Sequence, residues 1–283
     1  MNAYLELTKP RITWLILVST GVGFYFGAPG IWSWLVLVHT LLGTALIASG
    51  TAALNQWYES EADAKMRRTE HRPIPSGRIS SENAMWFGVA LSIGGFLELW
   101  LGANLLTAGL GLFTLITYLF VYTPLKQRSW HSTTVGAVPG AMPPLIGFAA
   151  AAGTLSPDAW ALYAILFLWQ FPHFYAIAWM YREDYGRAGI RMLPVVEPDG
   201  ESTARQILIY STLLIPISLI PRWLHMAGDL YLAAALVLGL FFLWAGLKVA
   251  AERTNIRARG VLLASVVYLP LLLGMMVFDH RSF

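Results

Sequence analysis

The sequence predicts an all-α polytopic membrane protein: a bundle of nine transmembrane helices, N-terminus cytoplasmic and C-terminus periplasmic. Three observations carry this expectation. Charged residues make up only 12% of the 283-residue chain and hydrophobic ones 57%, whereas an ordinary soluble domain carries about 25% charged residues. The hydrophobic residues gather into runs, most of which reach the roughly 17–25 residues that a spanning helix requires. The cations are also sorted to one side of those runs, as the retention of positive charge on the cytoplasmic face demands.

In chain order the runs cover residues 12–28, 32–54, 84–101, 105–122, 134–152, 160–181, 207–220, 230–249 and 261–278. The seventh spans only if it extends through Arg205 or Trp223. With the N-terminus inside, every one of the 19 lysines and arginines falls in the cytoplasm except Arg222 and Arg281. A missed or invented span would have scrambled that separation. The net charge of +3 then needs no nucleic acid to explain it, because topology alone demands the basic excess. The absence of cysteine excludes disulfides, thiolate metal sites and a cysteine nucleophile. No Arg-rich, Ser-rich transit peptide or cleavable signal pattern precedes the first run, so a multi-pass protein of a bacterial cytoplasmic (inner) membrane is expected.

The whole chain, residues 1–283, reads as one intramembrane domain. Its periplasmic connections, near 28–31 and 102–104, are short and nearly uncharged. Three longer cytoplasmic connections, 58–83, 124–133 and 182–205, hold most of the candidate chemistry. Proline and glycine cluster at 136–144 inside a predicted span, where they either line a cavity or let helices pack closely.

The strongest local pattern lies at the end of the second run. If that helix continues, Asn55, Glu59 and Asp63 stand at i, i+4 and i+8, a single stripe of oxygen atoms with about 6 Å of rise between neighbours. Acidic groups facing a membrane cavity are costly and commonly mark an ion or substrate pathway. One or two carboxylates together with substrate phosphates are a usual way to hold Mg²⁺. The plainer explanation is a solvated helix end balanced by Lys65, Arg67 and Arg68. Two further stretches weigh against it. Tyr122-Thr-Pro-Leu-Lys126 ends the fourth run with a lysine, and Arg182-Glu183-Asp184-Tyr185 ends the sixth with two carboxylates. Three helices therefore bring both signs of charge to one membrane depth, as a diphosphate bridged by Mg²⁺ and gripped by Arg and Lys would require.

These stretches resemble the UbiA superfamily of intramembrane prenyltransferases. The segment from Asn55 to Asp63 looks like its first acidic motif, Tyr122-x-x-x-Lys126 like its lysine motif, and Glu183-Asp184 lies where its second acidic motif falls. Four stretches resemble the haem O synthase branch in particular: Leu7-Thr-Lys-Pro-Arg-Ile-Thr13, Asp63-Ala-Lys-Met-x-Arg68-Thr-x-x-Arg72-Pro73, Trp169-Gln-x-Pro-His173-Phe174, and Arg182-x-Asp184-Tyr185-x-x-Ala-Gly189-Ile-x-Met-Leu-Pro194. Glu59 stands where an Asp is usual, and Tyr181 occupies the position four before Tyr185, so the second motif lacks its paired aspartates. The number and placement of magnesium ions is left open by those departures.

The resemblance implies transfer of a farnesyl group from farnesyl diphosphate to a vinyl group of haem B, with water added, to give haem O and diphosphate. It implies Mg²⁺ held by Asn55, Glu59, Asp63, Glu183 and Asp184, acting as a Lewis acid. Arg67, Arg68, Arg72, Lys126 and Arg182 would neutralise the departing diphosphate, with no side-chain nucleophile. Of the aromatic residues near the cytoplasmic ends, Trp57, Tyr122, Tyr181 and Tyr185, most are explained by interfacial anchoring; Tyr122 and Tyr185 are kept as shields for the allylic cation. His173 is the candidate for holding haem, by ligation or by a hydrogen bond, with Pro172 loosening the helix beside it. A histidine inside an apolar span is otherwise a hydrogen-bonded structural residue. His39, toward the middle of the second run, is the competing candidate and is the only ionisable residue of that run. Association with haem A synthase or oxidase assembly factors stays open. Two other functions fit parts of the pattern: a sister prenyltransferase acting on an aromatic quinone precursor, and a transporter using intramembrane carboxylates.

Overall fold

The structure, a computed structural model, describes residues 3–28, 30 and 32–280. Pro29, Ile31 and Arg281, which entered the reading of the periplasmic side, lie outside the described residues. Every regular element among the described residues is helical, and eight helices are long and apolar enough to cross a membrane. The chain is an all-α, multi-pass membrane protein. Within lipid every backbone donor and acceptor must be satisfied inside its own segment, which leaves the helix as the answer for such runs.

The chain divides into two compact units, one of residues 1–155 with 184–190 and the other of 156–183 with 191–283. In the first unit, α1 (Ala3–Leu7) precedes α2 (Pro10–Gly27), which begins on a proline and follows Lys9 in the left-handed conformation, φ 47°. The next helix, α3 (Trp34–Tyr58), is capped by the Ser33 hydroxyl, and α4 (Ser60–Asp63) follows it. Ser80 caps α5 (Ser81–Gly102) and Asn104 caps α6 (Leu105–Ile116). These side-chain oxygens accept from backbone donors that the first helical turn leaves unpaired.

The fourth run does not continue as a regular α-helix. It widens into a π-helical stretch at Thr117–Tyr122 and closes with α7 (Thr123–Leu125). Such bulges rotate the side chains that follow them and occur often at functional sites. The fifth run is likewise broken, into α8 (Ser132–Gly140) and α9 (Pro143–Ala152), because neither Pro143 nor Pro144 can donate a helical hydrogen bond. The small residues then admit close packing: a Cβ on Gly147 would run into the Thr20 backbone carbonyl, and one on Gly95 would stand 2.6 Å from the Ile47 nitrogen. Helices of a membrane bundle meet on such small residues.

In the second unit, α10 (Pro157–Met180) is capped by Ser156 and carries Pro172 in its interior. The following α11 (Arg182–Arg187) begins in this unit and ends in the first. After α12 (Leu193–Val196) come α13 (Glu201–Trp223), α14 (Asp229–Ala251) and α15 (Asn255–Phe278). The seventh run thus reaches spanning length by extending at both ends, through Arg205 and to Trp223. A buried polar relay joins the last three helices: Tyr231 donates to the Ser218 carbonyl at 2.7 Å, and the Ser218 and Tyr268 hydroxyls are 2.6 Å apart.

Candidate active site

The acidic stripe forms, but as two short pieces. α3 ends at Tyr58, yet the Glu59 amide still donates to the Asn55 carbonyl at 2.9 Å and the Asp63 amide to the Glu59 carbonyl at 2.8 Å. The i, i+4 relation therefore survives the helix end. Asn55 Nδ2 donates to Glu59 Oε2 at 3.0 Å and also to Thr123 Oγ1 at 3.2 Å.

Each carboxylate is drawn to a cation brought from elsewhere in the chain. Lys126 Nζ lies 2.8 and 3.1 Å from the two Glu59 oxygens and 4.5 Å from the centre of the Tyr122 ring. Burial works against the Lys126 charge, but Tyr122 and Glu59 outweigh it and hold the ammonium above its ordinary range. Arg72 donates to Asp63 Oδ2 at 2.6 Å. The other oxygen, Asp63 Oδ1, is buried and has no hydrogen-bond partner among the described residues. An unsatisfied buried carboxylate oxygen is expensive, and a hard cation is what such an atom, beside the Asn55 and Glu59 oxygens, fits. Among the described residues, no three His, Asp or Glu side chains converge to form a cage without added ligands.

One residue that was given no role from the sequence joins this cluster. Lys9, held half-buried at the start of α2, donates to Asn55 Oδ1 at 3.4 Å. Partial burial, reinforced by Arg72 and Lys126 and opposed by Glu59 and Asp63, pushes its ammonium down to about 7. Its segment is pinned to α3 by Gln56, whose side chain donates to the Leu7 carbonyl at 2.9 Å. The signals for Lys9 in the sequence were its place in the Leu7–Thr13 stretch and the Lys-Pro pair ahead of a span, where proline pre-sets the first helical turn. Thr123 was missed as well, because its contact with Asn55 bridges 68 positions.

The remaining candidates divide between the units. Asp184 is buried and pairs with Arg187 in the first unit. Arg68 stacks on Tyr185 at 5.9 Å, also in the first unit, and Arg67 is exposed. In the second unit Glu183 is exposed, and Arg182 donates to the Trp179 carbonyl and to Asn255 Oδ1 at 2.7 and 2.8 Å. His173 also lies there, its Nδ1 2.7 Å from Ser265 Oγ. His39, expected to stand alone, does not: its Nδ1 is 2.7 Å from Glu98 Oε1 on α5. Glu98 is a carboxylate within α5, one turn before its C-terminal end.

An apolar cavity in the first unit starts beside Lys9 and Tyr118 and runs along α3 past Thr51 and Ile47 to Thr44, with Leu99 and Gly111 on its walls. Thr44 is about 16 Å from Asn55 along the helix at 1.5 Å per residue. Pro139, Gly140 and Pro143 line this cavity while Gly136 packs against the Tyr122 ring. The proline and glycine cluster therefore does both of the things expected of it.

The UbiA prenyltransferase family matches residues 16–275. A protein of Solibacter usitatus (strain Ellin6076) named protoheme IX farnesyltransferase is 66% identical, the match covering 99% of both chains. Proteins of the same name from Koribacter versatilis (strain Ellin345) and Salinibacter ruber (strain DSM 13855 / M31) are 50% and 45% identical, over 99% and 98% of this chain and 94% and 98% of theirs. Among solved structures, a digeranylgeranylglyceryl phosphate synthase aligns with a TM-score of 0.82 at 17% identity, covering 98% of this chain and 97% of that one. A UbiA homolog from Archaeoglobus fulgidus bound to DMAPP and Mg²⁺ aligns at 0.75 and 18% identity over 99% of each chain. At such identities these structures speak to the fold, and the family rests on the sequence matches. The chain belongs to the UbiA prenyltransferase family.

Proposed function

We propose that this protein transfers the farnesyl group of farnesyl diphosphate to a vinyl group of haem B, with addition of water, giving haem O and diphosphate. The observation that carries the reading is the cluster of Lys9, Arg72 and Lys126 around Asn55, Glu59 and Asp63 at the head of an apolar cavity. Full-length relatives named protoheme IX farnesyltransferase support the choice of substrates.

The cations suit the diphosphate and the cavity suits the chain. A twelve-carbon main chain with bonds of about 1.5 Å reaches roughly 14 Å, close to the run from Asn55 to Thr44. Asn55, Glu59 and Asp63, with Asp184 of the same unit as a further candidate, would hold Mg²⁺, which supplies Lewis-acid neutralisation of the leaving group when bound. Ionisation of the C1–O bond puts charge on the diphosphate. Lys9, Lys126 and Arg72 are already oriented by Asn55, Glu59 and Asp63, so little reorganisation accompanies that step. Arg67 and Arg68, in the same unit, remain candidates for the outer phosphate contacts. Tyr122 and Tyr185, whose rings already face Lys126 and Arg68, are the aromatic faces offered to the allylic cation. The vinyl carbon of haem attacks that cation, and water captures the resulting porphyrin-stabilised cation and releases a proton.

The chain acts, in this reading, as one prenyltransferase domain over residues 1–283. It has nine spans, α2 being the ninth, with the N-terminus cytoplasmic, in a bacterial inner membrane. Expression in a host without haem O, followed by chromatography of extracted haems, tests the function. Haem O should appear only with the active protein. Labelled farnesyl diphosphate incubated with haem B or with 4-hydroxybenzoate separates this reading from a quinone-precursor enzyme, since label entering only the benzoate would overturn it.

A further inference from the structure

The neighbourhood of His173 settles which of its two ring nitrogens is free. Ser265, fully buried on α15, has its Oγ 2.7 Å from His173 Nδ1 and 2.6 Å from the Leu262 carbonyl oxygen. A serine hydroxyl carries one proton, and a carbonyl oxygen can only accept. The proton of Ser265 therefore goes to Leu262, and His173 must donate from Nδ1 to Ser265. The reverse arrangement would press the Ser265 and Leu262 oxygens together at 2.6 Å with no hydrogen between them. In its neutral form the imidazole thus carries its proton on Nδ1 and leaves Nε2 with a bare lone pair, and Nε2 makes no hydrogen bond among the described residues.

The ring is held in plane as well as in tautomer. Trp169, one turn earlier on α10, stacks on His173 with centroids 5.0 Å apart and planes inclined by 26°. Its indole nitrogen donates to the Ser265 carbonyl at 2.8 Å. Ser265 thus anchors the histidine through its hydroxyl and the stacking indole through its backbone. This is the arrangement of a ligating histidine, whose far nitrogen is fixed by a second hydrogen bond so that the near one presents its lone pair.

We propose that Ser265 is a positioning residue that locks His173 as the Nδ1–H tautomer and thereby presents Nε2 to the iron of the haem substrate. The inference rests on the function proposed above, because it needs haem B as the acceptor. It adds a residue 92 positions away from His173 in the chain, outside every stretch that carried the resemblance.

The test uses the full-length protein in detergent with haem B as probe. Wild type should show a histidine-ligated haem by absorption and resonance Raman spectroscopy, and Ser265→Ala should weaken haem binding about tenfold to a hundredfold, with the KM for farnesyl diphosphate unchanged. His173→Gly supplies the control: added imidazole should restore the ligated spectrum, and in that background Ser265→Ala should have no further effect, since free imidazole needs no tautomer fixed for it. Equal weakening by Ser265→Ala in both backgrounds would show a merely structural role and overturn the proposal. So would wild-type haem binding without a histidine signature in a protein that still makes haem O. Failure of the wild type to farnesylate haem at all would instead remove the proposed function.

Discussion

Replacing Lys126 by methionine keeps most of the length of the side chain and removes its charge. Lys126 and Glu59 are each 11% exposed, and the ammonium sits 2.8 and 3.1 Å from the two carboxylate oxygens. Breaking a buried ion pair by deleting one partner costs about 3–5 kcal/mol, most of it from the charge left behind. Asn55 still donates to Glu59 Oε2 at 3.0 Å, so the lower end, about 3 kcal/mol, is expected. Glu59→Gln in the same chain should recover most of that loss, because no buried charge then remains. Activity behaves differently. If Lys126 stabilises the leaving diphosphate, its removal lowers kcat by about 10²–10³, and the double variant stays inactive even though its stability returns. Lys126→Arg should not restore activity, since a planar guanidinium does not reproduce a point charge held between Glu59 and the Tyr122 ring. Thermal unfolding in detergent and steady-state farnesyl transfer measure the two effects separately. A Lys126→Met enzyme whose kcat stays within about threefold of wild type, far short of that expected drop, would refute the assignment.

Three further outcomes follow from the same geometry. Asp63→Ala should insert into membranes normally yet abolish turnover, because Asp63 Oδ1 is buried with no hydrogen-bond partner among the described residues and is the oxygen proposed to meet the cation; near-wild-type turnover alongside normal membrane-fraction levels would sink the metal assignment. Lys9→Met should raise the KM for farnesyl diphosphate about tenfold, equivalent to about 1.4 kcal/mol for one charge-assisted hydrogen bond, and leave haem affinity alone. An altered haem titration with an unchanged diphosphate KM would place Lys9 in the wrong subsite. Gly111→Leu should shift the preference from farnesyl toward geranyl diphosphate, since even a Cβ there stands 2.7 Å from Ile47 Cδ1 and 3.0 Å from Leu99 Cδ1 on the cavity wall. Competition between the two diphosphates reads this directly, and an unaltered ratio would mean that the prenyl chain lies elsewhere.

The features that were legible in the sequence are those decided within one or two helical turns. Spanning runs are visible because lipid forces each of them to satisfy its own backbone, so length and apolarity suffice. The seventh run was short only on paper: Glu201–Gln206 and Pro221–Trp223, which include charged residues, continue the helix beyond the apolar stretch. The Asn55–Glu59 contact was readable for the same reason, since i and i+4 meet on any helix face.

What the sequence by itself determined, then, was an all-helical membrane chain carrying a local stripe of oxygen atoms and cations gathered between its apolar runs. Tertiary structure alone decided which cation meets which oxygen. Lys126 reaches Glu59 across 67 positions, Lys9 reaches Asn55 across 46, and His39 finds Glu98 across 59. None of these distances is encoded in a period. Sequence position fixes a neighbour only as far as the helix repeat carries it; beyond that, partners are chosen where helices approach closely enough, at Gly95 and Gly147 for example, to make a buried charge cheaper paired than alone.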